Sequence, residues 1–229
     1  THPVTHTYTS AGVYLVCAWG TYVINNVVCD FQVCDEITIT ITEPYEPCPN
    51  NLVENGDFEN GNDGSFTTGT LPFVPTCQIQ SYAVVNNATD KCGNVSVFDH
   101  TNPPLGLFLD IDGYMSGSGD VWCQNVSVSA FTNYTFSFWA TDFNITDMNP
   151  NIDMTINGTV VSSVSVNTNI WTQYTATWNS GFTSGTISLC LNQTNFIGIG
   201  VDYGIDDIEF CATSQGDPCT EANLGINLF

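Results

Sequence analysis

Asn133-Tyr134-Thr135-Phe136-Ser137-Phe138-Trp139-Ala140 is the stretch that decides the fold class. Successive side chains of an extended strand point to opposite faces. Tyr134, Phe136, Phe138 and Ala140 therefore share one apolar face, while Thr135, Ser137 and Trp139 take the other. The same period of two runs through Ile37-Thr38-Ile39-Thr40-Ile41, Val126-Ser127-Val128-Ser129-Ala130 and Val164-Ser165-Val166. Thr, Val, Ile, Tyr and Phe suit a pleated, half-buried surface. Turn dipeptides punctuate the runs at Asn60-Gly61, Asp63-Gly64, Asp112-Gly113, Asn157-Gly158 and Ser180-Gly181. Helical periodicity is almost absent, so the expected fold is all-β and built as a sandwich.

Composition narrows the function. The 229 residues contain 23 Asp and Glu but one Lys or Arg, for a formal net charge of −22. With Lys91 the single cationic side chain, no basic patch can neutralise phosphates, so nucleic-acid partners are excluded. Anionic lipid surfaces are repelled for the same reason. Asp90-Lys91-Cys92-Gly93 is not a P-loop. Nearly all carboxylates lack a basic partner, so they are solvated, bonded to backbone N–H, or bound to cations.

Ten cysteines with no C-x-x-C pair, in a chain rich in Ser, Thr and Asn, read as extracellular disulfides. Expected pairs are Cys17–Cys34, Cys48–Cys211, Cys77–Cys92 and Cys123–Cys190, leaving Cys29 and Cys219 to bridge the tail to its acceptor within or between subunits. N-x-S/T sequons begin at Asn87, Asn94, Asn125, Asn133, Asn144, Asn157 and Asn192. They permit glycosylation, although such a composition yields several by chance. The chain opens with neither Met nor a signal peptide, so a processed product is expected. Positions 1–29 carry no charged side chain, but Gly20, Thr21, Asn25 and Asn26 interrupt the apolar run. Two buried strands are expected there rather than membrane insertion.

Pro44, Pro47 and Pro49 mark a joint. The expected organisation is a partial domain over 1–43, a Pro-rich joint over 44–50, a large sandwich over 51–211 and a tail over 212–229. His6-Thr7-Tyr8, Gly12-Val13-Tyr14-Leu15-Val16-Cys17 and a closing strand Ile37–Thr42 resemble the later strands of an Ig-like domain of the PKD (polycystic kidney disease) type. The earlier strands of that family and their Asp-Phe-Gly-Asp turn are missing, so the resemblance implies half a sandwich.

Residues 51–210 resemble the jelly-roll carbohydrate-binding modules of bacterial secreted and surface proteins. The carrying segments are Asn51-Leu52-Val53-Glu54-Asn55-Gly56-Asp57-Phe58-Glu59, Asp99-His100-Thr101, Val121-Trp122-Cys123-Gln124, 133–140, Trp171-Thr172-Gln173 and Ile205-Asp206-Asp207-Ile208-Glu209-Phe210. The resemblance implies first and last strands side by side. It also implies a structural Ca²⁺ held by Glu59 and Asp207, with Asp57 and Asp206 as near alternatives. Sugar stacking requires exposed aromatic faces. Trp122, Tyr134, Trp139, Trp171 and Trp178 are the candidates; alternation puts Tyr134 on the face of Phe136 and Phe138, core aromatics are expected, and none stands out as a sugar platform. No Gly-x-Ser-x-Gly elbow occurs, and Asp99-His100 lacks a nucleophile motif, so no enzyme is expected.

In the tail, Ala222, Leu224, Ile226 and Leu228 alternate onto one face. Such a strand is unstable alone. Inserted into the unfinished sandwich of another copy, it makes a head-to-tail joint that does not close. The expected protein is a subunit of an extracellular filament with itself as partner. The alternative is a carbohydrate-binding module of a larger secreted adhesin or enzyme, with glycans as partners.

Overall fold

A computed structural model describes residues 12–24, 27–39, 47–69, 71–76, 78–91, 95–113, 119–144, 148–195 and 201–215. The chain divides into two compact units, Thr1–Tyr45 and Glu46–Phe229. It is all-β, as the alternation predicts.

In the first unit, β1 (Gly12–Ile24) and β2 (Val27–Ile39) pair antiparallel in one register, and Cys17 lies opposite Cys34, to which it is disulfide-bonded. The apolar positions expected to be buried are not. Val13 and Leu15 are both 65% exposed and Trp19 is 72% exposed. These three share a face with Val28, and Val16 and Val33 lie on the other. Among the described residues of this unit, two strands alone have no third layer to cover either face, which is the physical reason for the difference. The Ig-like reading of this unit rests on the resemblance alone. No helix among the described residues is long and apolar enough to cross a membrane.

The second unit contains β3 (Ser81–Val85), a short 3₁₀ turn (Ala88–Asp90), β4 (Phe108–Asp112), β5 (Gly119–Val128), β6 (Thr132–Asp142), β7 (Asn151–Ile156), β8 (Thr159–Ser165), β9 (Thr172–Asn179), β10 (Gly185–Gln193) and β11 (Asp202–Gln215). One sheet has the order β5-β10-β7-β8 and the other β3-β4-β11-β6-β9. The inward residues of both form one core: Val126, Ile152 and Leu189 from the first, and Leu109, Phe136, Phe138, Ile205 and Phe210 from the second. This is the face-to-face packing of a β-sandwich. Asn157 and Gly158, with φ of 50° and 75°, form the two-residue turn between β7 and β8. Asn-Gly supplies the two positive-φ residues that such a hairpin requires.

The opening segment runs beside β11. Leu52 N donates to Phe210 O (3.0 Å), and Ile208 N donates to Gly56 O (2.9 Å). A Cβ on Gly56 would lie 2.1 Å from Ile208 O, so only glycine permits this approach. The Cys48–Cys211 disulfide joins the same two segments, and Cys123–Cys190 joins β5 to β10. The closing strand continues to Gln215 along β6, four residues past the expected end of the sandwich at 211. Cys77, Cys92, Cys219, Asn94 and the predicted strand Ala222–Leu228 lie outside the described residues, as does the side chain of Cys29.

Candidate functional site

The Asp206-Asp207 pair is placed by an irregularity in β11. Register with β6 shifts between Asp206 and Glu209, and Asp207 has φ 45°. Alternation would send two consecutive side chains to opposite faces; a bulge re-aims one of them. Both carboxylates therefore meet the segment 99–102. His100 N donates to Asp206 Oδ2 (3.1 Å), and His100 Nδ1 lies 2.6 Å from Asp207 Oδ2. Thr101 Oγ1 also donates to Asp207 Oδ2, and Asn102 N donates to Asp99 Oδ1. The His100 ring stacks on Trp139 at 3.7 Å, with Trp171 at 6.0 Å. Trp171 Nε1 donates to Phe98 O (2.8 Å), which fixes the ring beneath this segment. Burial raises Asp206 well above the ordinary carboxylate range, and the charges of Asp207 and Asp99 push the same way.

Glu59 Oε1 accepts from Leu107 N (2.8 Å), and Asp57 Oδ1 accepts from Glu59 N (3.4 Å). The four residues expected to hold calcium thus accept hydrogen bonds from the protein itself. Two groups of three ligand-bearing side chains come within 4.8 Å among the described residues, Cys48–Glu209–Cys211 and Asp120–Cys123–Cys190. Neither contains Glu59, Asp57, Asp206 or Asp207. In each, the two cysteines are disulfide-bonded and offer no thiolate.

A second feature lies at the opposite end of the β6–β9 pair. A pocket of about 310 Å³ is lined by Asn133, Tyr134, Thr177, Trp178, Asn179 and Thr213. Trp178 is half-buried, and its ring leans on Tyr134 (5.9 Å) and Phe210 (6.2 Å). Asn179 Nδ2 donates to Asn133 Oδ1 (2.7 Å) and Thr213 Oγ1 to Asn133 O (3.2 Å). One aromatic edge thus stands beside amides and hydroxyls, the combination that recognises a sugar. Of the other aromatic candidates, Trp122 and Tyr134 are core, and Trp139 and Trp171 pack around His100. Sequence reading placed Trp178 among the candidates but did not single it out. Its signal was the polar neighbours Thr177 and Asn179 on an exposed strand.

The sequons differ in access. Asn125, Asn144 and Asn157 are exposed. Asn87 and Asn192 spend Nδ2, the atom a glycan needs, on Ser96 Oγ (3.0 Å) and Asp120 Oδ1 (2.9 Å).

Two packed antiparallel sheets, with the opening segment laid along the closing strand, define a β-sandwich of the jelly-roll kind. Among solved structures, the chain is similar to a cyclase from Fischerella sp. TAU in complex with 4-(1H-indol-3-yl)butan-2-one, at 13% identity and TM-score 0.52, covering 72% of this chain and 97% of that one. It also matches the CBM22-1 xylan-binding domain from Paenibacillus barcinonensis at 12% identity and TM-score 0.47, covering 70% of this chain and 92% of that one. TmCBM61 in complex with β-1,4-galactotriose matches at 19% identity and TM-score 0.45, covering 71% and 99%. Likeness at these identities concerns the fold alone. No family model matches the chain, and no curated protein matches it in sequence.

Proposed function

We propose that residues 51–211 are a carbohydrate-binding module of a larger secreted or cell-surface protein, without catalytic activity of its own. The Trp178 pocket carries this reading, because it sets an aromatic ring beside amides and hydroxyls that suit sugar oxygens. Disulfides within both units support an extracellular setting. Trp178→Ala is expected to weaken glycan binding by roughly tenfold to a hundredfold, about 1.4–2.8 kcal/mol. A glycan array followed by calorimetry on the whole chain checks this; unchanged affinity in the variant overturns the site. The same titration with a chelator tests structural calcium at Glu59, Asp57, Asp206 and Asp207, which predicts a lower melting temperature without the ion.

The exposed hairpin favours a second reading. Val13, Leu15, Trp19 and Val28 leave one apolar face uncovered, and an unpaired strand edge invites addition of another strand. Insertion of Ala222–Leu228 from a second copy would supply it and propagate a filament. Leu224→Asp with Ile226→Asp is expected to abolish concentration-dependent polymers in sedimentation while the jelly roll stays folded. Polymers that persist in that variant rule the insertion out.

A further inference from the structure

Lys91 is the chain's one cationic side chain, and it is in the wrong place for a solvated charge. Its side chain is 0% exposed and that of Asp110 is 4% exposed. The Nζ lies 3.7 Å from Asp110 Oδ1, too far for a hydrogen bond. Among the described residues, neither Lys91 Nζ nor Asp110 Oδ2 has a hydrogen-bond partner. A buried ion pair is tolerated when its geometry is good and its remaining donors and acceptors are satisfied. This pair has neither property. We propose that Lys91 and Asp110 condense into an intramolecular isopeptide bond, the Lys91 Nζ becoming an amide of the Asp110 side chain.

The surroundings supply what such a condensation needs. Lys91 caps the 3₁₀ turn, whose Ala88 packs with Ala83, Val85, Phe108 and Phe143 in a small apolar cluster. Asp110 sits in the middle of β4, between Ala83 of β3 and Gly204 of β11. Passage of one proton from Nζ to Asp110 turns the ion pair into an amine with a lone pair and a carboxylic acid with a hydroxyl to lose, and a buried site penalises the two separate charges. Burial in fact pushes Asp110 up to about 7, against the lowering charge of Lys91. Asp112 and Asp202 lie directly opposite each other in the β4–β11 register. Asp202 is also raised, to about 6, by burial first and then by Asp112.

The step balances without any further reagent. The Nζ lone pair attacks Asp110 Cγ, and the N–C bond forms. Nζ passes one proton to the Asp110 hydroxyl oxygen, the C–O bond breaks, and one water leaves. The product is neutral, so both buried charges disappear. The amide pins the turn at 88–91 to the centre of the five-stranded sheet.

The composition makes the test simple, because the chain has a single site for trypsin, after Lys91. The whole chain, expressed without glycosylation, is reduced and denatured. Its mass is then expected to be one water below that of the sequence, and trypsin is expected to leave it uncut. Lys91→Met and Asp110→Ala are each expected to show the full mass. Asp110→Ala is expected to be cut once, an outcome that does not depend on whether the variant folds. Fragmentation of a chymotryptic digest locates the bond between the peptides carrying residues 91 and 110. A wild-type chain at full mass, or one that is lighter but still cut after Lys91 (the signature of a succinimide at an Asp-Gly pair), overturns the proposal.

Discussion

Phe210→Ala is expected to lower the unfolding free energy of the second unit by about 3–5 kcal/mol. Phe210 is fully buried, and its ring is held on three sides. Tyr134 stacks on it at 4.7 Å with the planes 6° apart, Phe136 meets it edge-on at 6.0 Å, and Trp178 borders it at 6.2 Å. These neighbours come from β6 and β9, which are fixed by a continuous ladder. The walls therefore cannot collapse into the space, and the cavity term adds to the lost transfer energy. Domains of this kind hold about 5–15 kcal/mol in total, so the loss is a large fraction. Urea unfolding followed by tryptophan emission measures it. Phe210→Leu is expected to retain most of the stability, and a loss in the alanine variant below about 1 kcal/mol contradicts the packing. Because Trp178 leans on Phe210, the alanine variant should also loosen the candidate sugar pocket.

Removal of the Cys48–Cys211 bridge by a double Ser substitution should cost on the order of 4 kcal/mol. The bridge closes a loop with a sequence separation of 163, against 67 for Cys123–Cys190. The restriction of the unfolded chain grows only with the logarithm of loop length, so the two bridges should differ by less than about 1 kcal/mol on that account. Cys48–Cys211 has an added local role. Cys48 N donates to Glu209 Oε1 (2.8 Å), and Asn51 Nδ2 donates to Ile208 O (3.0 Å). Both bonds hold the opening segment to the closing strand, and the bridge keeps them in register. The double variant should therefore expose the segment 48–56 to proteolysis before global unfolding. Equal protection of that segment with and without the bridge runs against this account.

The sandwich was legible because strand alternation is a local property. Tyr134, Phe136 and Phe138 reach the core by the period of two alone, whatever lies opposite them. The side-by-side placement of the opening and closing strands came from the resemblance, and Gly56 against Ile208 is its structural counterpart. The burial expected for strands within positions 1–29 failed at Val13, Leu15 and Trp19 because hydropathy reports the need for a cover and not its presence. The four expected calcium ligands could be named from sequence, but not their partners. Whether Asp207 faces a cation or His100 depends on a bulge that no dipeptide announces.

What the amino-acid order determined by itself is the extended, two-faced character of each segment, the acidic charge that excludes polyanionic partners, and the oxidising setting of the cysteines. Those follow from each residue's own chemistry and its nearest neighbours along the chain. Only the tertiary structure decided that Lys91 lies against Asp110, that His100 stacks on Trp139, and that Trp178 shares a pocket with Asn133 and Thr213. Each of those meetings joins segments separated in sequence, and strand order and register, which are set by packing of the whole core, bring them within a few ångströms.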